Sequence, residues 1–291
     1  MSSAAGRPGR LRLPTPYLLL IPSALTLAAL FGWPMVQGVL AAFRHDGGFS
    51  LDNVHRMVSD QRFGSAVRNT LLLIAVVVPL QFVLALAMAL LLQARPKFSG
   101  LYFYLWAVPL AISDLAAGLV WLSILDDQGY LNSVLHRLGL GDGYSWLSYQ
   151  HGSTMFLAVV VAEVWRATAL VLVILVAGMQ VIPRDYDEAA AVFGATFWQR
   201  LRYVTLPLLK PSLQVALILR TILAFQTFAV ARALTGDNYP LLVGETYQWY
   251  LDLQNPGVAS AIALLILAIS IFTASIYLRA LRQPDAIREA R

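Results

Sequence analysis

The chain has 291 residues, 58% of them hydrophobic and only 13% charged, with a mean hydropathy of +0.66. A soluble domain is about 25% charged and 45–50% apolar, so a water-facing surface cannot be built from so few charges, and a soluble enzyme, a disordered tail and a coiled coil are poor readings. There are no cysteines, which excludes disulfides, thiolate zinc sites, Fe–S clusters and cysteine nucleophiles. The formal charge is +5 and the pI near 9.6, but the arginines are not clustered as a nucleic-acid surface requires.

Taken in chain order, the first apolar stretch is 13–43, which holds no charged residue. Arg7, Arg10 and Arg12 precede it as in a secretory signal, yet it is too long for a signal's apolar region and more such stretches follow. It therefore reads as a retained first span. Residues 69–94 and 253–278 are also uncharged. Three further stretches carry a few charges: 100–125 (Asp114), 153–182 (Glu163, Arg166) and 208–234 (Lys210, Arg220, Arg232). A membrane helix needs about 20 mostly apolar residues. The expected fold is thus all-α, an integral membrane bundle of six transmembrane helices over 17–281, with tails at 1–16 and 282–291. No clear internal repeat or low-complexity segment interrupts it.

Charge asymmetry sets the orientation. Thirteen of the 21 Lys and Arg residues fall on the side shared by both termini, the 2–3 loop and the 4–5 loop; five fall on the other side. Under the positive-inside rule both termini and the segment 183–207 are cytoplasmic. The opposite loops are long and aromatic, with Trp146, Tyr149, Tyr239, Tyr247, Trp249 and Tyr250. Two readings stay open for these rings: an interfacial belt or a docking surface.

The segment 183–207 reads as two short helices. Pro183 ends the fourth span. Asp185 and Glu188 have capping-box spacing, Gly194 supplies a left-handed stop, Thr196 and Gln199 repeat the capping spacing, and Pro207 closes the unit. Physics alone allows an amphipathic pair lying on lipid. However, Glu188-Ala189-Ala190, three residues, Gly194, nine residues, then Val204-x-Leu206-Pro207 resembles the EAA loop of bacterial ABC importer permeases at every fixed position. Further landmarks are similar to the carbohydrate-uptake group of that family, in particular the sugar-holding permease of maltose-type transporters. These are Pro22 and Pro34, Gly129-Tyr130-Leu131-Asn132, Trp165-Arg166, the run 177–183, Leu234-Thr235-Gly236 with Pro240, and the run 257–261. Asp237-Asn238-Tyr239 departs from the group's glycine-rich turn.

The resemblance implies a cytoplasmic EAA coupling-helix loop within a six-helix permease domain. Glu188, Ala189, Ala190, Gly194, Leu206 and Pro207 would meet a groove on a partner ATPase. It also implies a second permease subunit forming a heterodimeric pore, two ATPase subunits, an extracytoplasmic solute-binding protein and a sugar as cargo. ATP and Mg would bind the partner ATPase, with no cofactor, metal or catalytic residue in this chain. Consistently, neither Lys97 nor Lys210 follows a glycine, so no Walker A loop is present.

Ionisable groups inside spans cost about 2.5–3.5 kcal/mol each on insertion scales and face a cavity or a partner. Glu163 and Arg166 lie three apart on one helix face. They read either as a structural ion pair or as a polar wall of the translocation path, and the resemblance favours the wall. Trp106 and Leu110 flank Pro109 in the third span, with Asp114 one turn further on, and Leu223 and Thr227 lie in the fifth; Trp106, Asp114, Leu223 and Thr227 are candidates for the same path. Three other readings are weighed beside a sugar importer. One is an importer for a polyol or glycerol phosphate, served by Arg166. Another is a proton-coupled secondary transporter using Glu163 with Arg166. The last is a hydrolase using Ser145 in Gly143-Tyr144-Ser145, a weak match to a serine motif. The four histidines are expected in loops, away from any metal cluster.

Overall fold

The computed structural model describes residues 15–281 apart from 46, 95, 141–143, 149 and 151. The tail 282–291, nearly all of the tail 1–16, Gly143, Tyr149 and His151 thus lie outside the described residues.

Helix α1 (Thr15–Leu27) passes through a π-helical turn at Ala28–Gly32 into α2 (Trp33–Ala42). Together they make an apolar rod, Leu19–Ala42, whose most hydropathic stretch is not buried anywhere in the chain. A two-residue hairpin, β1 (Arg44–His45) and β2 (Gly48–Phe49), leads into α3 (Asp52–Ser59). Asn53 on α3 is buried and donates to the carbonyls of Ala41, Ala42 and Arg44 at 3.1, 3.3 and 3.0 Å. It thereby satisfies carbonyls that the end of α2 leaves without a helical partner.

The long helices are α4 (Phe63–Gln93), α8 (Gly152–Gln180) and, at the end of the chain, α14 (Pro256–Ala280). Between α4 and α8 the expected third span is not one helix. It is α5 (Ser99–Ala107), a 3-10 turn at Val108–Ala111, and α6 (Asp114–Leu125), bent by 102° at the break. Pro109 withholds a donor there. Ile112 is extended, and Ser113 restarts the helix by accepting from the Ala116 amide at 3.2 Å. A short helix, α7 (Tyr130–Arg137), follows.

The fifth span also differs from expectation. After α9 (Asp185–Val192), the chain runs through α10 (Phe197–Arg200), a π turn at Leu201–Thr205 and α11 (Leu206–Phe225) as one rod, Phe197–Phe225. Pro207 therefore does not close a separate unit. It comes just after the π turn at Leu201–Thr205, and that local change in the hydrogen-bond ladder accommodates a residue without an N–H inside the rod. The rod ends at Phe225, and the chain resumes as α12 (Ala229–Thr235) before α13 (Leu242–Tyr247) and α14. Among the described residues five helices are long and apolar enough to cross a membrane, and the bent pair, taken as one span, makes a sixth. His55 and His136 fall in α3 and α7, not in loops.

Lipid is as apolar as leucine, so helices in a membrane associate by close packing. Two glycines permit it here. A Cβ on Gly118 of α6 would lie 2.7 Å from the Ala233 Cβ on α12, and one on Gly178 of α8 would lie against the Ser212 side chain on α11. The half-helices α6 and α12, each following a break, are packed on one another beside α8. Buried Val159, Val171, Leu172 and Leu175 make α8 the centre of the bundle.

Candidate translocation site and coupling loop

Four helices contribute to a buried polar network at the centre. Gln81 (α4), Glu163 (α8) and Arg220 (α11) are all at most 1% exposed. The Arg220 guanidinium donates from Nη2 to Glu163 Oε2 at 2.9 Å and from Nε to Gln81 Oε1 at 2.6 Å. Gln81 donates in turn to the Glu163 backbone carbonyl at 2.8 Å. Arg166 Nη2 lies 3.3 Å from both Glu163 carboxylate oxygens, and its Nη1 is 2.7 Å from Asp114 Oδ1 at the start of α6. The network holds two carboxylates and two guanidiniums, so its formal charge is zero.

Exposure grades outward. The Arg166 side chain is 18% exposed and that of Asp114 is 51% exposed, so these two present the cluster's accessible edge. Two buried donors in and beside this network have no acceptor among the described residues: Arg166 Nε and the indole Nε1 of Trp121. Trp121 stands edge-on to Trp165, the neighbour of Arg166, with centroids 6.1 Å apart.

Among the sequence candidates, Glu163, Arg166 and Asp114 are thus brought together. Glu163 is not on the accessible edge; it anchors Arg220 and Arg166. Thr227 is buried in the break between α11 and α12, and Leu223 is 39% exposed on α11. Trp106 stacks on Tyr102 and packs against the cluster of Val171, Leu172 and Leu175, further along α8. None of these three joins the polar network. Sequence reasoning missed Gln81, Trp121 and the pairing of Arg220. The signal for Arg220 was available, since a charge inside a span requires a partner and Glu163 is the one acid in its span.

The loop 183–207 takes a definite shape. Gly194 has φ +80 with open space where a Cβ would stand, so conformation, not crowding, calls for glycine. Thr196 and Gln199 form the expected reciprocal capping box, at 2.8 and 3.4 Å. The other box does not form: Arg184 is the N-cap of α9 and no side chain caps it. Asp185, Asp187 and Glu188 instead place negative charge in the first turn, where the helix dipole favours it. Arg200 Nη1 pairs with Asp187 Oδ2 at 2.7 Å and locks α10 against α9. A cleft of about 420 Å³ opens between them, bordered by Asp187, Glu188, Phe197 and Thr205. At the tip, Val192, Phe193 and Trp198 are 85%, 91% and 73% exposed.

The aromatic loop residues divide. Trp146 donates to Asn132 Oδ1 at 3.1 Å, Tyr239 packs on Phe156, and Trp249 packs on the cluster around Ala42 and Leu242. Burial pushes the Tyr239 phenol up to about 12, against the pull of Arg68. Tyr247 and Tyr250 remain exposed. Arg62 ties the start of α4 to this region, donating to Gln248 Oε1 at 2.8 Å and to the Asp237 carbonyl at 2.6 Å. Burial raises the carboxyl of nearby Glu245 above the usual range, partly offset by Arg62. Ser145 donates to Asp127 Oδ1 at 2.8 Å and so ties the loop to the approach to α7.

Residues 57–282 match the family described as binding-protein-dependent transport system inner membrane component. The chain belongs to that family. Membership makes it a membrane transport component that works with a binding protein. Over 295 residues this family member is 32% identical to the sulfoquinovosyl glycerol transport permease of Agrobacterium fabrum, covering 92% of this chain and 90% of that one. It is 31% identical to the trehalose/maltose transport permease of Thermococcus litoralis, covering 90% and 92%. Its fold is shared with a chain of a bacterial ABC transporter that imports the acidic polysaccharide alginate. The TM-score there is 0.77 at 21% identity, over 91% of this chain and 95% of the other.

Proposed function

We propose that this component is the transmembrane permease subunit of an ATP-binding-cassette importer for a carbohydrate. An extracytoplasmic binding protein delivers the sugar, and ATP and Mg are bound and used by a partner ATPase. The observation that carries the reading is the pairing of an EAA-type loop, held rigid by the Thr196 capping box and the Arg200–Asp187 bridge, with a polar cluster beside two broken helices. Irregular backbone at membrane depth is tolerated where it lines a cavity, and transporters place binding sites between such broken helices. The carbohydrate assignment rests on relatives named for trehalose/maltose and for sulfoquinovosyl glycerol transport.

In this reading both termini and 183–207 face the cytoplasm. The exposed tip at Val192, Phe193 and Trp198 enters the ATPase, with Glu188, Ala189, Ala190, Gly194, Leu206 and Pro207 setting its geometry. Arg166, Asp114, Trp121 and Trp165 border the sugar path, and Thr227, Leu223 and Trp106 line its continuation. A second permease subunit completes the pore. The proton-coupled alternative needs a carboxylate free to exchange a proton, whereas Glu163 is engaged by both guanidiniums.

A mild-detergent purification from the native cells tests this. Stoichiometric recovery of a P-loop ATPase and a second six-span permease is expected, together with ATP-dependent sugar uptake after reconstitution. Gly194→Arg is expected to lose the ATPase while the chain stays folded, because the φ of +80 strains any side chain there. Recovery of the chain alone, with uptake driven by a proton gradient, overturns the reading.

A further inference from the structure

The polar network is built so that no positive charge is left over. Arg220 is spent on Glu163 and Gln81 inside the bundle. Arg166 shares Glu163 through Nη2, and its outward Nη1 is taken by Asp114 at 2.7 Å. That outward edge of a guanidinium is the group that pairs with a phosphate, sulfonate or carboxylate. Asp114 sits where such an anion would sit, and at 51% exposure it is the one carboxylate of the cluster open to an arriving solute. Its position is fixed by the break itself, since Asp114 is the first residue of α6 after the Ser113 cap. The helix N-terminus holds its charge there.

Resting on the carbohydrate reading above, we propose that Asp114 is a charge filter. It is a resident anion that occupies the anion-binding edge of Arg166 and restricts the path to neutral polyhydroxyl solutes. Sugar hydroxyls are neutral and both donate and accept. They can accept from the unpaired Nε–H groups of Arg166 and Trp121 once those are uncovered, and donate to the outer oxygen of Asp114, without displacing the ion pair. An anionic solute must displace Asp114 and is repelled by it. A glycerol phosphate or sugar phosphate is therefore rejected by the native chain. Removing the Asp114 charge leaves Glu163 shared between two guanidiniums, so the network carries one excess positive charge and the freed Nη1 of Arg166 can take an anion.

The test uses the whole importer complex in lipid nanodiscs without its binding protein, so that delivery does not impose its own selectivity. Equilibrium binding of radiolabelled trehalose and of glycerol 3-phosphate is measured for the native complex, Asp114→Asn, Asp114→Ser and Asp114→Asn/Arg166→Gln. The native complex is expected to bind trehalose in preference to glycerol 3-phosphate. Both single variants should shift the ratio of the two affinities toward the phosphate by about tenfold or more, with the gain weakened by salt and abolished in the double variant. Native binding of the phosphate as tight as that of trehalose overturns the filter, as does an unchanged ratio in both single variants. If the native complex binds neither probe, and a panel of neutral sugars likewise, the carbohydrate reading itself fails, which is a distinct result.

Discussion

Arg220 is the residue on which the centre of the bundle depends, because it is fully buried and has two hydrogen-bonding partners on two other helices. Removing one member of a buried ion pair costs about 3–5 kcal/mol, since the other charge is stranded. Arg220→Met should therefore destabilise the chain by about 3 kcal/mol, the low end because Glu163 keeps Arg166. Glu163→Gln combined with Arg220→Met should recover part of that loss, because no stranded carboxylate remains. Apparent melting temperatures of the purified variants read the difference, and losses that simply add would deny the pairing. The same geometry changes how Glu163 is to be probed. A double Glu163→Ala, Arg166→Ala variant looks from sequence like a clean test of the path. In the structure it strands Arg220, so a loss of transport would report folding. Pairing of Glu163 with Arg166 was legible from their spacing. The role of Arg220 was not, since its partners lie 57 and 139 positions away and no local pattern links them.

At the level of elements, apolar composition located the spans but not their interruptions. Pro109 was visible, yet proline also occurs inside continuous helices here, as Pro22 in α1 and Pro79 in α4 show. What makes Pro109 a break is its company: an extended Ile112 and a Ser113 ready to cap a new helix. Conversely, Pro207 looked like an end and proved compatible with a continuous rod. Its neighbours carry the helix through a π turn just before it, where the regular ladder is already altered and the missing N–H is accommodated. The breaks leave two short helices, α6 and α12, that must hold each other, and the contact is set by Gly118 against Ala233. A methyl added at Gly118 would stand 2.7 Å from the Ala233 Cβ and also press on the Val230 backbone. Gly118→Ala should cost about 1–3 kcal/mol, the usual range for overpacking. Adding Ala233→Gly removes the nearest clash and should recover part of it in the same melting assay. Equal melting of Gly118→Ala and the native chain would mean that α6 and α12 are not so closely apposed.

Across the whole molecule, the rod Leu19–Ala42 packs on α14 through α2 and leaves most of its apolar surface uncovered, with Leu19, Leu30, Phe31 and Trp33 all more than 60% exposed. Such surface is admissible only against lipid or another subunit. The chain thus presents itself as part of an assembly oriented by its charges, and that orientation is open to a direct check. Because the native sequence has no cysteine, single cysteines can be introduced without first removing any. Val192 at the tip of the coupling loop is 85% exposed, and Tyr130 at the start of α7 is 72% exposed. The proposed topology puts them on opposite faces of the membrane. A membrane-impermeant maleimide should label Tyr130→Cys in intact cells stripped of their outer envelope, and Val192→Cys only after the membrane is opened. The reverse pattern would place the EAA-type loop outside, where no ATPase can reach it. It would then remove the coupling role from Glu188 and Gly194, while leaving the fold and the central ion network as they stand.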